Sequence, residues 1–258
     1  MKIVISVVLY KTPIKTVKQL LENFCNITRT TYHEMHLILV DNHSQDKALS
    51  DFLSNCSSGT VETISLSHNL GFGAGHNAAF KSIQSDAFLV MNPDISHVTK
   101  DGIDSAVDLL FSREEIGLVV PKLYNPDGSV QHTNKRQSTI FDQAIRLIGQ
   151  NAFKQRQSHF MRLDDGYESV NRTMNAHGAM MLFKSKVFKE IGGFDERFFL
   201  YMEDTDITME INQHHLALYD PSFTAVHEWQ QNNRNLKGIR YMLQSMAKYY
   251  HKWGWKFL

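Results

Sequence analysis

Ile3-Val-Ile-Ser-Val-Val-Leu-Tyr10 is a nearly unbroken apolar run, interrupted only by Ser6. Such a run suits a strand covered on both faces, of the kind a parallel sheet holds at its centre. Thr12-Pro13 follows, which predicts a helix with Thr12 as its cap and Pro13 at its first position. Val17, Leu20, Leu21 and Phe24 then fall on one helical face. Residues 35–40 read as a second strand closed by Asp41-Asn42, and residues 87–91 as a third closed by Asn92-Pro93-Asp94. Ile103, Ala106, Val107 and Leu110 mark another helix, and residues 116–120 another strand. This alternation predicts a Rossmann-like α/β fold with a mainly parallel central sheet flanked by helices. Ligands of such sheets gather beyond the carboxyl ends of the strands. Asp41 and Asp94 both fall at such ends, so two carboxylates are expected to face one crevice.

The bulk properties narrow the function. The 258 residues suffice for one large α/β domain or two small ones, and 42% are hydrophobic. Lys plus Arg and Asp plus Glu balance at 27 each, so no basic excess points to nucleic acid. Cys25 and Cys56 are the only cysteines and form no C-x-x-C pair, which argues against a disulfide framework or a structural zinc and fits a reducing compartment. The N-terminus reads as a strand rather than a signal peptide. No apolar run approaches the roughly 20 residues that span a bilayer. A cytoplasmic protein, or one lying on the cytoplasmic face of a membrane, is expected. Residues 124–173 are polar and poorly periodic, with a turn at Asn125-Pro126-Asp127-Gly128 and a short helix near residues 139–148, and read as an excursion over the sheet. Regular structure returns at residues 175–183.

Four groups of residues can carry chemistry. Asn69-Leu-Gly-Phe-Gly-Ala-Gly-His-Asn77 spaces three glycines so that backbone can turn tightly and approach a ligand. A helix starting there can offer N–H groups to phosphate; an ordinary structural turn accounts for it equally well. Asp94, after a buried strand, suits a hard divalent cation that takes few carboxylates and completes its shell with phosphate and water, although Asp is common in any Pro turn. Gly192-Gly-Phe-Asp-Glu-Arg-Phe-Phe-Leu-Tyr-Met-Glu-Asp-Thr-Asp206 ends in three acids, Glu203, Asp204 and Asp206, just before the apolar stripe of Ile207 and Ile211. A cap needs one Asp or Ser, so Glu203, Asp204 and Asp206 exceed that need. His227, after the apolar residues 223–226, is either a metal ligand or a structural histidine.

Taken together, these motifs resemble the family 2 inverting glycosyltransferases of the GT-A fold over nearly the whole chain. The resemblance rests on Val7-Val-Leu-Tyr10, Val40-Asp-Asn42, Asn69 to Gly75 with Asn77, Met91-Asn-Pro-Asp94, Gly178-Ala-Met-Met-Leu182, Gly192-Gly-Phe-Asp-Glu196, Phe199 to Asp206 and His227. Within that family the chain looks most like bacterial rhamnosyltransferases of O-antigen and related surface-polysaccharide synthesis. The resemblance implies that Leu9 and Tyr10 line the base pocket and that Asp41 hydrogen-bonds the pyrimidine. It implies that Asn69, Gly71, Gly75, Asn77 and Asn92 shape the nucleotide-sugar site. Asp94 and His227 would hold Mg²⁺ or Mn²⁺, and Asp204 would be the general base with Glu203 beside it. Asp206 and Arg136 are expected at the acceptor, near a lip formed by Asp127-Gly-Ser-Val-Gln131. The implied donor is a dTDP- or UDP-linked sugar, with dTDP-L-rhamnose first and UDP-galactofuranose or another UDP-sugar as alternative. The implied acceptor is a glycan or a polyprenyl-diphosphate-linked glycan.

Glu210 stands where the family often has Arg, Lys184 where Arg is frequent, and Glu228-Trp229 after His227 is unusual. The expected organisation is a catalytic domain over residues 1–228, divided at 121/122 into donor and acceptor halves, then a helical extension over residues 229–258. That extension has no acid, carries Arg234, Lys237, Arg240, Lys248, Lys252 and Lys256, and contains Trp229, Trp253 and Trp255. It predicts either a helix packed on the domain or peripheral contact with an anionic membrane. A non-catalytic sugar-nucleotide-binding subunit is the rival of another class. A nucleotidyltransferase ranks behind both, because Tyr10-Lys11-Thr12-Pro13 lacks the glycines its loop needs.

Overall fold

The computed structural model describes residues 1–148, 153–164, 166–228 and 236–257. The first half alternates strand and helix: β1 (Lys2–Leu9), α1 (Ile14–Thr28), β2 (Glu34–Asp41), α2 (Lys47–Cys56), β3 (Val61–Ser65), α3 (Phe72–Ser82), β4 (Ala87–Met91), the two-residue β5 (Ile95–Ser96) and α4 (Lys100–Ser112). Then follow β6 (Ile116–Tyr124), β7 (Val130–Gln131), α5 (Ile140–Ile148), α6 (Lys154–Phe160), β8 (Asn171–Arg172), β9 (Met180–Lys184), α7 (Ser185–Glu190), α8 (Glu203–His214), β10 (Leu216–His227) and α9 (Leu236–Trp253).

The described strands form one sheet in the order β3-β2-β1-β4-β9-β6-β10-β5, with β7 on β6 and β8 on β10. The pairs β3-β2-β1-β4 are parallel, β9 is antiparallel to both β4 and β6, and β10 is parallel to β6. Among the strands longer than two residues, β9 alone is therefore reversed. Its start lies beside the carboxyl end of β4, with Met180 opposite Met91. β6 runs through the 121/122 division, so both expected halves share this sheet.

Burial explains the order. β4 and β9 are wholly buried, as central strands covered on both faces must be. One apolar layer joins β1, β2 and β4 to α1 and α4; another joins the opposite face to α3, α7 and α8. A third cluster of Phe198, Met202, Met209, Tyr249 and Tyr250 packs α9 against α8 and the loop before it. The first helix starts one residue later than expected: Pro13 is the residue before it, and the Thr12 hydroxyl accepts from the Tyr10 N–H instead. Arg234 and Trp229 lie outside the described residues.

Candidate active site

The carboxyl ends of β1, β2, β4, β6 and β10 share one edge with the start of β9, and this edge collects most of the residues singled out from sequence. Asp41 ends β2, nearly buried, and its Oδ1 accepts from the Ser44 N–H at 3.0 Å. It lies opposite Leu9 across the β1–β2 pair. The Leu9 side chain is fully buried in the core, so of that expected pair only Tyr10, half exposed, stands in the open. Lys11, His43 and Gln45 all have positive φ (53°, 62° and 55°). Strained backbone of this kind persists where surrounding structure enforces it, and it clusters at ligand sites.

The glycine loop is folded by its own side chains. Asn42 donates from Nδ2 to the Gly71 carbonyl at 3.0 Å and accepts from the Leu70 N–H at 2.9 Å. Asn69 accepts from the Gly71 N–H, and the Phe72 N–H donates to the Phe199 carbonyl. The amides of Leu70, Gly71 and Phe72 are thus engaged within the protein rather than offered to phosphate. Gly71 has φ +91°, and a Cβ there would collide with the Phe199 carbonyl. A Cβ on Gly75 would lie 2.7 Å from the Val8 side chain, so this glycine seats α3 on β1. Asn77, expected at the nucleotide sugar, instead clamps the Gly193 turn: its amide donates to the Phe194 carbonyl and to Glu196 and accepts from the Phe194 N–H. Asn42, which the motif reading passed over as a site residue, is the loop's principal tie. His76 is fully buried, bonded through Nδ1 to Ser6 Oγ at 2.8 Å, and burial pushes its pKa down to about 3, so it is a neutral core group.

Asn92 and Asp94 follow β4. The Asn92 N–H donates to the Ala179 carbonyl, tying this turn to the start of β9. Asp94 Oδ1 is buried and has no hydrogen-bond partner, and it lies 3.5 Å from Nε2 of His227, the last residue of β10. His227 is itself almost wholly buried. The His177 ring packs edge-on at 5.5 Å from the His227 ring, and Gly178 beside it contacts the acidic helix.

That helix, α8, begins earlier than the sequence suggested, so the three acids occupy its first turn. Tyr201 and Met202 both adopt left-handed conformations immediately before it (φ 71° and 66°). The three acids then diverge. Asp204 is partly exposed; its Oδ2 accepts from the Gly178 N–H at 2.9 Å and its Oδ1 from the Thr205 N–H at 2.7 Å. Glu203 is buried, and desolvation reinforced by the Asp204 charge holds its carboxyl well above the usual carboxylate range. Asp206, expected at the acceptor, is instead 2% exposed and bound to α9, accepting from Lys252 Nζ at 2.9 Å and Trp253 Nε1 at 2.7 Å. Arg136, also expected at the acceptor, is tied by Nε to the His159 carbonyl and by its guanidinium to Asp164. A cavity of about 310 Å³ lined by Met1, Tyr32, His33 and Phe111 lies at the other end of the strands and contains none of these groups.

A mainly parallel sheet with one reversed strand, and an acidic helix at its carboxyl edge, match the GT-A fold. The model of the glycosyltransferase-like family 2 matches residues 12–239, and the chain belongs to that family and is a glycosyltransferase. The chain is similar to the N-acetylglucosaminyl-diphospho-decaprenol L-rhamnosyltransferase of Mycobacterium tuberculosis, 24% identical over 80% of this chain and 71% of that protein. It is also similar to the O-antigen biosynthesis protein RfbC of Myxococcus xanthus, 25% identical over 72% of this chain. The chain spans only 14% of RfbC. The fold matches the mannosyltransferase PcManGT from Pyrobaculum calidifontis, solved with GDP-Man and Mn²⁺, with a TM-score of 0.62 and 15% identity over 95% of this chain and 63% of that one. It matches S. aureus TarS with a TM-score of 0.60 and 15% identity over 88% of this chain and 60% of that one.

Proposed function

We propose that this chain transfers a sugar with inversion from a nucleoside diphosphate to a glycan hydroxyl, with dTDP-L-rhamnose as the first donor to test and a polyprenyl-diphosphate-linked glycan as acceptor. The observation that carries the reading is the placement of Asp204. Two backbone N–H groups fix its carboxylate at the mouth of α8, on the same sheet edge as Asp94 and His227. The names of the relatives support the sugar and the lipid-linked acceptor, since one is a rhamnosyltransferase acting on a diphospho-decaprenol and another an O-antigen biosynthesis protein.

An acceptor hydroxyl needs a positioned base as it attacks. Asp204 takes its proton, and the two amide donors keep the carboxylate aimed while it does so. Glu203, buried beside the Asp204 charge and with its carboxyl raised well above the ordinary range, is the less suited of the two to that role. Asp41, accepting from Ser44 at the end of β2, orients the nucleotide base beside Tyr10. The pair Asp94 and His227 fits a divalent cation: an orphaned, buried carboxylate oxygen and an imidazole nitrogen 3.5 Å apart are both oxygen- or nitrogen-donor ligands, and a hard cation needs few of these when a diphosphate completes its shell. A Mg²⁺ or Mn²⁺ held there supplies Lewis-acid stabilisation of the charge on the departing diphosphate.

The domain reading is a catalytic unit over residues 1–228 with a helical extension after it. Among the described residues no helix is long and apolar enough to cross a membrane. Peripheral contact with an anionic bilayer rests on fewer groups than the sequence suggested, because Lys252 pairs with Asp206, Lys248 binds the Arg197 carbonyl and Lys256 binds Gln137. The remaining surface is Ile239 and Leu243 with Lys237 and Arg240 on α9, and Trp255 and Phe257 beyond it, all exposed. Leu243→Asp should release the protein from anionic vesicles in co-sedimentation; equal binding by the parent and the variant would remove this surface. The donor assignment is tested with UDP-, dTDP- and GDP-sugars, reading thermal stabilisation with Mn²⁺ and the anomeric configuration of the product by NMR. Retained configuration, or no stabilisation by any nucleotide sugar, would sink the proposal.

A further inference from the structure

We infer that Gln131 is a positioning residue that fixes the tautomer of His227 and aims its Nε2 lone pair at Asp94. The inference about the tautomer stands on geometry alone; its consequence for metal rests on the cation reading above.

Gln131 lies on β7, which the 125–129 turn folds back on the end of β6. In that turn the Asn125 N–H donates to the Ser129 carbonyl at 2.8 Å, and Gly128 takes φ +83°. Leu123 of β6 pairs with both Gln131 of β7 and Ala225 of β10, which brings the Gln131 amide over the end of β10. The Gln131 Nε2 donates to the His227 backbone carbonyl at 2.8 Å and to Asn125 Oδ1 at 2.8 Å. A backbone carbonyl can only accept, so that end of the amide is its NH₂. The other end, Oε1, is then an acceptor, and it lies 3.0 Å from His227 Nδ1. Nδ1 must carry the proton. In the neutral ring Nε2 is then bare, and it faces an Asp94 oxygen that has no donor. Two lone-pair atoms 3.5 Å apart in a buried position repel each other unless a cation or a second ring proton lies between them. The same glutamine holds the residue's backbone and its ring, so the orientation is set twice. The segment Asp127-Gly-Ser-Val-Gln131, expected at an acceptor lip, thus reaches the donor side.

The test uses the full chain with nitrogen-15-labelled histidine and three variants. Long-range proton–nitrogen NMR of the metal-free protein reads the His227 tautomer. Manganese EPR, with UDP and dTDP each present in turn, reads the affinity for Mn²⁺, and thermal melting confirms the fold. Gln131→Leu removes the acceptor and should move the proton to Nε2, where the Asp94 carboxylate accepts it, with Mn²⁺ affinity about 10- to 100-fold weaker, as for other outer partners of a metal ligand. Gln131→Glu still accepts from Nδ1–H and should keep the parent tautomer; it also serves if the leucine variant does not fold. An unchanged Nδ1–H signal in a folded Gln131→Leu protein, or a lost one in Gln131→Glu, overturns the inference. His227→Ala separates the two readings: if it leaves Mn²⁺ affinity unchanged, the cation assignment fails, while the Gln131 inference still stands or falls on the tautomer.

Discussion

Lys252→Met is the perturbation that most directly tests how the acidic helix is held. Lys252 on α9 lies 2.9 Å from Asp206, 3.0 Å from Glu210 and 3.6 Å from Asp195. Asp206 is 2% exposed, while the Lys252 side chain is 25% exposed. Removing one partner of a buried pair costs about 3–5 kcal/mol. The partial exposure of Lys252, and the Trp253 bond that survives on the other carboxylate oxygen, lower the expected loss to about 2–3 kcal/mol. For a chain of this size that corresponds to a fall in Tm of about 4–12 °C. The sign with pH follows from the group left behind. Burial already raises Asp206 above its ordinary 3.8, opposed by Lys252 and Trp253. A carboxyl whose folded pKa is raised contributes stability below its unfolded pKa and loses it as pH rises through the folded value. Without Lys252 the folded pKa rises further, so the variant suffers most at neutral pH, and its deficit shrinks as pH falls towards 3.8. Urea unfolding of both proteins at several pH values measures this. A deficit independent of pH, or one below about 1 kcal/mol at neutral pH, would refute the pairing argument.

Asp204→Asn should lower turnover by about 10²- to 10⁴-fold, the usual worth of a general base, with nucleotide affinity by calorimetry unchanged; a comparable loss of affinity would move Asp204 out of the base role. Glu203→Gln should leave turnover near that of the parent, because burial favours the neutral form of Glu203 and the amide mimics it, and it should remove the loss of stability that the raised carboxyl causes as pH climbs through its folded value. A fall in rate as large as that of Asp204→Asn would assign the proton to Glu203 instead. Asn42→Ala removes the bonds to Gly71 and Leu70 and should cost about 1–3 kcal/mol through the polar groups left unpaired. Nucleotide affinity should weaken with it, and unchanged melting and binding would show that the loop holds itself.

Much of the fold could be read along the chain because buried strands are written as apolar runs. The bounds of residues 87–91 are legible for that reason, and the apolar faces carrying Val17 and Ile103 mark the first and fourth helices without fixing their ends. β3 escapes notice because it is a short edge strand in which Glu62, Thr63 and Ser65 break the apolar run and only Val61 is buried, and α2 because it buries only Leu49 and Leu53. The reversal of β9 could not be read, since a strand covered on both faces looks the same in either direction. Partners distant in sequence were the other barrier. Asn77 meets Phe194 across 117 positions, and Asp206 meets Lys252 across 46. Nothing local distinguishes an amide or carboxylate that waits for such a partner from one that waits for a ligand.

The acidic cluster shows what that ambiguity hides. Glu203, Asp204 and Asp206 share one helical turn and one kind of functional group, yet their surroundings give them three different states. Glu203 is enclosed beside the Asp204 charge, and its carboxyl is raised well above the ordinary range. Asp206 is enclosed with Lys252 and Trp253 and serves as the anchor of α9. Only Asp204 keeps partial exposure, with two amide donors to aim it. The reversed strand matters here, because the Gly178 N–H that holds Asp204 belongs to the approach to β9, and Ala179 of the same approach ties down the Asp94 turn by accepting from the Asn92 N–H. A strand running the other way would send that approach to the opposite edge and leave the carboxylate and the Asp94–His227 pair without a common support. Asp204 is therefore positioned by the same backbone that supports the Asp94 turn, and a change in the 177–179 segment should disturb both together.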